Sequence, residues 1–369
     1  MQTLVTSRVP RFGVDLAFEL GWDFAHYGVQ PPSEALLNWP QLAQGVEAGR
    51  QTFGARTLHA TRHARKWLQV RLNALNRGRV FDTEQVTPRF LQLIDTEICP
   101  VTRMPLTYGT GAGTDWSVDR VFNDAAYAAG NLAVMSRSAN EAKADAAFHD
   151  AVRYARDCEG SVSEIDGLDA AQWGRVAVLM SFVTRLAHQE AAVLPMLVLP
   201  PNRLRVFNPI QALQAVLCRL VLAHAESDDA AALDDHIDQL RQHVPGKALR
   251  KDVLAFTDAY VAQVRALRRA HPALSLRAAV EDAWQTRLVL NRWKRVARAL
   301  TAAQAETIVA AAGQGTRCLP DTQATEGWAL ATRGLLSPRP VPRPLPDPKV
   351  SLPADHWLAA RQSDLFAAS

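Results

Sequence analysis

Cysteine is scarce in this 369-residue chain, and its cysteines are far apart. The four thiols fall in no CxxC or CxxH pattern: Cys99, Cys158, Cys218 and Cys318. This spacing argues against a four-ligand structural zinc site and against a disulfide framework. Because unpaired cysteines are typical of reducing compartments, the sequence predicts a cytoplasmic protein. Cys99, which has no second cysteine nearby, is predicted to be a buried thiol.

Long apolar runs are also missing. No stretch of about 18 uncharged apolar residues, the length needed to span a bilayer, occurs in the chain. The most apolar stretch, 176–201, is interrupted by Arg185, His188 and Glu190. The first residues lack the apolar core of a secretory signal. We therefore expect no transmembrane helix and no membrane partner.

Several common catalytic and nucleotide-binding motifs are absent. The chain contains no GxxxxGK[ST] phosphate loop, no GxSxG nucleophile turn and no HExxH zinc motif. The glycines of GTGAG at 109–113 follow no long strand and open no helix, so they do not form a dinucleotide fingerprint. The sequence thus argues against nucleotide hydrolysis by a phosphate loop, hydride transfer on a dinucleotide fold and α/β-hydrolase chemistry.

What the chain does contain is a helical pattern over most of its length. With 48% hydrophobic and 21% charged residues it has a globular composition. Amphipathic, often alanine-rich stretches recur at helical spacing: 146–157, 169–193, 209–225, 230–243, 248–270 and 276–299. The sequence therefore predicts a mainly α protein. The acidic run at 226–239 and the basic run at 286–300 are interpreted as solvated helix faces, with a nucleic-acid face at 286–298 as the alternative.

The C-terminal part changes character after about residue 335. The sequence SPRPVPRPLPDPK has too many prolines for a helix or the centre of a sheet. We expect an extended arm over 336–369 that leads to a short helix at about 354–367. The arm is interpreted as a spacer, and a proline-rich ligand for an aromatic-lined groove is the alternative.

Basic residues are concentrated near the N-terminus, although the net charge of the whole chain is only +4. Residues 51–80 contain seven Lys or Arg and no Asp or Glu, and they predict a helix that ends near Gly78. Two interpretations are open: a solvated face, or a surface that contacts nucleic-acid phosphates. The candidate phosphate contacts are Arg56, Arg62, Arg65, Lys66 and Arg71.

A different pattern covers residues 114–145. It predicts a strand at 116–121, a polar turn, a second short strand at 132–135 and a helix at 136–147. Asn140 and Lys143 lie one turn apart on one face of this helix. Strand, loop, strand and helix with converging carboxylate and amide oxygens form a compact arrangement for one hard divalent cation.

This segment resembles the core of HNH nucleases, the ββα-metal family. The resemblance rests on the pattern S-V-D-R-V-x-N-D-x-x-Y-x-x-G-N-L-x-V-x-S-x-x-x-N-x-x-K over 117–143. The preceding CPVT at 99–102, with PL at 105–106, is similar to the lead-in that such proteins often have. The match is particularly similar to the branch, frequent in phage and mobile-element proteins, that has Asp-Arg where other members have Asp-His. It covers residues 97–145 only.

The resemblance implies a role for each matched residue. Asp119 and Asn140 stand at the positions that bind Mg²⁺ or Mn²⁺. Asn131 matches the middle Asn, which braces the loop between the strands and orients the base. Lys143 matches a basic residue that contacts the phosphate or the transition-state charge.

Each of these positions also has a plainer interpretation. Asp119 and Arg120 are also consistent with an ion pair at a strand end, and Asn131 after a glycine with a simple turn residue. Asn140 is also consistent with a solvated helix residue.

Arg120 is the departure from the family pattern. It stands where many relatives have the histidine that deprotonates the attacking water, and arginine is a poor general base because it stays protonated. Three outcomes are open. Arg120 binds the scissile phosphate while metal-bound hydroxide or another group supplies the nucleophile, His149 approaches from the helix, or the site is catalytically inactive and retained for its shape.

The sequence thus predicts a helical protein with an embedded small ββα-metal module. The expected domains are an N-terminal helical region (1–94), the HNH-like module (95–150), a helical bundle (151–335) and the proline-rich arm (336–369). The leading hypothesis is a Mg²⁺- or Mn²⁺-dependent endonuclease that hydrolyses DNA phosphodiesters. The alternative is a catalytically degenerate HNH scaffold that binds nucleic acid, or a protein partner through the bundle.

Overall fold

The computed structural model describes residues 14–160, 162–225 and 230–315. Within these residues the protein is mainly helical, with fifteen α-helices and one two-stranded sheet. The predicted mainly α class is therefore confirmed. The contacts divide the described chain into two compact units, the first of 14–95 with 124–129, the second of 96–123 with the remainder from residue 130. The domain boundaries expected from the sequence stay predictions.

The first unit is built from five helices: α1 (Val14–His26), α2 (Ser33–Asn38), α3 (Pro40–Phe53), α4 (Arg62–Asn76) and α5 (Pro88–Ile94). Helices α1 and α3 touch at their backbones. A Cβ atom at Gly21 would lie 2.0 Å from the carbonyl oxygen of Leu42, and one at Gly45 would lie 2.0 Å from that of Phe18. Only glycine permits such an approach.

Local capping signals set the helix boundaries in this unit, including the predicted helix end near Gly78. Pro40 begins α3, where a missing N–H costs nothing. Thr61 caps α4 by accepting the Ala64 N–H, and Gly78 follows the helix with a φ of +58°. Thr87 caps α5 in the same way, as its position before Pro88 predicts.

The second unit begins with the segment that carries the motif. Strand β1 (Trp116–Arg120) pairs antiparallel with β2 (Leu132–Ser136), from Trp116 opposite Ser136 to Arg120 opposite Leu132. Helix α6 (Arg137–Lys143) follows directly. The predicted strand, strand and helix are confirmed, but α6 stops short of residue 147 because Ala144 adopts a φ of +42°. We call 116–143 the hairpin–helix segment.

Residues 97–115 form looped, extended structure before β1. Asp115 organises part of this loop, because its carboxylate accepts hydrogen bonds from the Thr107 hydroxyl at 2.7 Å, the Thr110 hydroxyl at 2.8 Å and the Gly111 N–H at 2.7 Å. The bond from Thr107, together with those from Thr110 and Gly111, holds the pKa of Asp115 below its usual range.

Nine further helices complete the second unit: α7 (Phe148–Gly160), α8 (Ala170–Val183), α9 (His188–Val193), α10 (Pro209–Ala225), α11 (Ala230–Gln242), α12 (Lys247–Ala270), α13 (Leu276–Asp282), α14 (Arg287–Ala299) and α15 (Ala302–Gly315). Of these, α15 has no counterpart among the predicted stretches. No helix in the described ranges is long and apolar enough to cross a membrane. The C-terminal arm and its expected short helix lie outside the described residues.

Two stretches predicted as single helices are each divided. The stretch 169–193 breaks after α8, where the Asn208 side-chain amide donates to the carbonyl oxygens of Ser181 and Thr184 at 3.0 and 3.1 Å. These bonds satisfy carbonyl oxygens that would accept the next N–H groups of the helix if the helix continued. The stretch 276–299 breaks at a 3₁₀ turn (Ala283–Gln285) followed by extended Thr286.

Four large aromatic residues of the second unit pack together beside a buried thiol. Phe256, Tyr260, Trp284 and Trp293 form one aromatic cluster with ring centroids 5.3–5.7 Å apart. The Tyr260 hydroxyl and Trp284 Nε1 lie 3.1 and 3.2 Å from the sulfur of Cys218. Burial raises the pKa of Cys218 to about 12, so this thiol stays protonated and serves packing.

An ion-pair cluster attaches the loop before β1 to α13. Arg103 donates to the two carboxylate oxygens of Asp282 at 2.8 and 2.9 Å and to Glu281 Oε2 at 3.1 Å. Glu281 is buried, and its other oxygen accepts the backbone N–H of Leu199 at 3.0 Å. Arg103 is therefore the main cation that compensates a buried carboxylate.

We predict that Arg103→Met lowers the free energy of unfolding by about 3 kcal/mol, because it leaves the Glu281 charge poorly compensated in the interior. Denaturation by urea measures the loss. The matched control is Arg277→Met, which removes the 51% exposed partner of the same carboxylate and should cost less than about 1 kcal/mol. Equal losses in the two variants would contradict the assignment.

Candidate functional site

The hairpin–helix segment brings three of the predicted site residues to one interface. Alternate residues of a strand share a face, so Ser117 and Asp119 point to the same side of β1. Helix α6 covers that side with Asn140 and Lys143. Asn140 Nδ2 donates to the Ser117 hydroxyl at 2.7 Å, and Lys143 contacts Asp119. Asp119, Asn140 and Lys143 therefore lie at one interface between β1 and α6, and the roles that the resemblance implies for them stay predictions.

Lys143 is the most buried charged residue of this interface. Its side chain has no exposed surface, and its Nζ lies 3.0 and 3.3 Å from the two carboxylate oxygens of Asp119. The same ammonium donates to the carbonyl oxygen of Arg120 at 3.1 Å and to Asn123 Oδ1 at 2.9 Å. An ammonium has three N–H groups, so each can find an oxygen acceptor here.

Asp119 is nearly as buried, with 7% of its side chain exposed. Burial raises the pKa of Asp119 because it disfavours the charged carboxylate. The ammonium of Lys143 opposes this rise by favouring the carboxylate form. The two side chains therefore form a coupled, desolvated pair in which each depends on the other.

Asn131 braces the turn after β1, the structural part of the role that the resemblance implies. Its Oδ1 accepts the Phe122 N–H at 2.9 Å, and its Nδ2 donates to the Phe122 carbonyl oxygen at 3.1 Å. The backbone carbonyl of Asn131 also accepts the Val121 N–H at 2.9 Å. The Asn131 side chain thus satisfies both backbone polar groups of Phe122. Asn131 is itself buried, with 5% of its surface exposed.

Arg120 lies on the strand face opposite to that of Asp119. It is 9% exposed, and its guanidinium donates to the backbone carbonyl of Asn123 at 2.7 Å. The side chain therefore helps to hold the turn. His149, the other candidate base, is an exposed residue of α7 whose ring packs edge-on against Phe148.

Sequence reasoning missed the importance of Asn123. Its side-chain oxygen accepts from Lys143, its backbone oxygen accepts from Arg120, and its Nδ2 donates to the carbonyl of Ala146 at 3.0 Å. The feature of the sequence that could have indicated this role is the position of Asn123 in the polar turn that follows the Asp-Arg pair. Ser117 was missed as well, although its spacing of two residues from Asp119 predicts the same strand face.

Cys99 is buried as predicted, in a cluster of hydrogen bonds. Its sulfur accepts the Thr102 N–H at 3.4 Å and the Ser136 N–H at 3.2 Å, and its S–H faces the Ser136 hydroxyl at 3.4 Å. The thiol therefore fastens the lead-in loop to the end of β2.

The oxygen set around Lys143 does not fit the divalent metal that the resemblance implies. Mg²⁺ needs oxygen ligands at about 2.0–2.1 Å in nearly octahedral geometry. The protein oxygens here surround the Lys143 nitrogen at 2.9–3.3 Å, the spacing of ammonium hydrogen bonds. In the described part of the chain, no three His, Cys, Asp or Glu side chains form a group that could hold a metal ion.

The candidate phosphate contacts belong to the first unit and differ in exposure. Arg56 and Arg65 are exposed and Lys66 is half-buried. Arg62 is 52% exposed and pairs with Asp95 at 2.7 Å. Four of the five predicted residues therefore have accessible surface.

Arg71 is the exception, since the structure places its side chain in the interior. It is 6% exposed, forms a salt bridge with Asp23, and its guanidinium carbon lies 4.4 Å from the centre of the Trp67 ring. Burial thus assigns Arg71 a packing role in place of the phosphate contact expected from sequence. The reason is its position on the apolar face of α4 that carries Trp67 and Leu68.

The chain matches no family model, no curated protein and no solved structure. The functional assignment therefore depends on the chemistry of these residues.

We predict that Asn131→Asp destabilises the protein by about 3 kcal/mol. The substitution keeps the shape of the side chain but replaces the donor to the Phe122 carbonyl with a buried, repelled oxygen. Thermal and urea unfolding measure the effect. Asn291→Asp, at an exposed position of α14, is the control and should change stability by less than about 0.5 kcal/mol. A stable Asn131→Asp protein would show that the turn does not need this brace.

Proposed function

We propose that this chain is a nucleic-acid-binding protein built on an HNH-like ββα scaffold that serves structure in place of metal-dependent cleavage. The observation that carries the binding proposal is the exposure of three arginines of the first unit, Arg56, Arg62 and Arg65, which together we call the basic surface. These residues belong to the thirty-residue block without any acidic side chain.

Electrostatics supports nucleic acid as the partner of this surface. Unbalanced arginines gain affinity for a phosphate backbone by releasing its condensed counterions. Asp95 pairs with Arg62 and with His63, but no ion pair of Arg56 or Arg65 occurs among the described residues. Phosphate contacts of this kind position a duplex without reading its sequence. DNA is the expected polymer, and a protein partner of the helical bundle stays a separate prediction.

The use of the motif residues supports the scaffold part of the proposal. Asn131 and Lys143 use their side-chain polar groups on Phe122, Asn123, Asp119 and the Arg120 carbonyl, and the Arg120 guanidinium donates to the Asn123 carbonyl. A residue whose donors are already engaged inside the protein is poorly placed to bind a phosphate. The hydrogen bonds of these motif residues inside the folded segment therefore support a structural role for the motif.

We predict that the protein binds duplex DNA with a steep salt dependence, and that Arg56→Ala/Arg65→Ala reduces the slope of log K against log salt by about 2, because each lost phosphate contact removes roughly 0.9. Fluorescence anisotropy at several salt concentrations measures the slope. The control, Lys247→Ala/Arg269→Ala, removes two exposed cations of α12 in the second unit and should leave the slope unchanged. Binding without salt dependence, or equal effects of the two variants, would contradict the proposal.

Metal-dependent hydrolysis of DNA is the second candidate. One observation favours it: Asn140 is half-exposed and lies on the same face of the hairpin as Asp119, so the two implied ligands are neighbours. In this candidate Asp119 and Asn140 hold Mg²⁺ or Mn²⁺, with assistance from Arg120, Asn131 and Lys143. It requires the Lys143 ammonium to leave Asp119.

A cleavage assay separates the two candidates. Supercoiled plasmid, single-stranded DNA and RNA are incubated with the protein and Mg²⁺, Mn²⁺ or EDTA, beside Asp119→Ala and Asn140→Ala. We expect no nicking above that of the variants, while duplex binding is retained. Metal-dependent nicking that both substitutions abolish would establish the endonuclease and contradict the scaffold proposal.

A further inference from the structure

The surroundings of Lys143 have the composition of a cation site. A carboxylate, a backbone carbonyl and a side-chain amide oxygen converge on one point from β1 and from the turn that follows it. These are the oxygen donors that proteins offer to hard cations. The point is occupied by the nitrogen of Lys143, delivered by α6, and that side chain is fully buried.

Charge balance explains why a cation is needed there. Asp119 is enclosed between the hairpin and α6, and an isolated carboxylate in such a place is strongly disfavoured. A nearby cation, N–H donors or a proton reduce this cost, and Lys143 is the cation in direct contact with the carboxylate. The ammonium lies 3.0 Å from the carboxylate, and all its N–H groups can be satisfied by protein oxygens.

We infer that the Lys143 ammonium is the permanent internal cation of this segment, taking the place of a divalent metal by joining Asp119, Arg120 and Asn123 to α6. The segment is therefore folded without metal, and Asp119 is not available to Mg²⁺ or Mn²⁺ while Lys143 is present. This inference concerns the interior of the segment and holds whether or not the chain binds nucleic acid.

Thermal unfolding with and without metal tests the inference. The proteins are the full chain, Asp119→Asn, Lys143→Met, and Lys143→Met/Asp119→Asn, each in EDTA and in millimolar Mn²⁺. Lys143→Met keeps an unbranched side chain that is one atom shorter and removes its charge. We expect its Tm to fall by about 10 °C, the effect of an uncompensated buried charge in a protein of this size. Lys247→Met, at an exposed position, is the control and should not alter Tm.

The double variant keeps the test informative if Lys143→Met does not fold. Neutralising both partners removes the uncompensated charge, so Lys143→Met/Asp119→Asn should recover most of the lost Tm. The unsubstituted chain should show the same Tm in EDTA and in Mn²⁺, and electron paramagnetic resonance should find its added Mn²⁺ free in solution.

Two results would overturn the inference. One is a rise in the Tm of the unsubstituted chain with Mn²⁺ that Asp119→Asn abolishes, because the carboxylate would then prefer the metal to the ammonium. The other is a Lys143→Met protein as stable as the unsubstituted chain, because the ammonium would then not be required. Neither measurement involves nucleic acid, so failure here is distinguishable from failure of the binding proposal.

Discussion

The contact between the Lys143 ammonium and the Asp119 carboxylate is the constraint on which the hairpin–helix segment depends. Two short strands and a seven-residue helix bury too little apolar surface to be stable alone. The buried ion pair adds a requirement that only one arrangement of strand, turn and helix satisfies. Its net stabilisation is modest because desolvation offsets much of the attraction, but breaking it by removing one partner is costly. Such a pair selects one structure more strongly than it stabilises that structure.

Local signals in the sequence predicted much of the fold. Thr61, Thr87 and Pro40 mark helix starts by mechanisms that act within a few residues, and Gly78 ends a helix in the same way. The division of 169–193 could not be predicted, because the side chain that satisfies the end of α8 belongs to Asn208, more than twenty residues later. Hydrophobic periodicity describes residues that are close in sequence, so it contains no information about contacts between residues that are far apart in sequence.

The same limit applies to the site. Helix periodicity predicted that Asn140 and Lys143 share one face of the helix, because periodicity is a property of the local backbone. It could not predict that Lys143 is the partner of Asp119, since that contact joins residues 24 positions apart in sequence. Helix periodicity did contain the signal for Arg71. It follows Trp67 by four residues and Leu68 by three and precedes Ala74 by three, so it lies within their buried face.

A motif can persist in a chain because folding needs it. In this protein the motif residues form hydrogen bonds to one short turn. Asn131 bonds to the backbone N–H and carbonyl of Phe122. Arg120 donates to the carbonyl of Asn123, and Lys143 donates to the side-chain oxygen of Asn123. The bonds of Asn131 and Arg120 satisfy backbone groups of the turn, and the bond of Lys143 satisfies the side-chain oxygen of Asn123. Loss of any one would loosen the turn and expose the Asp119–Lys143 pair to rearrangement. These hydrogen bonds give the spacing of the motif residues a structural role, and the proposal of nucleic-acid binding depends on the basic surface of the first unit independently of them.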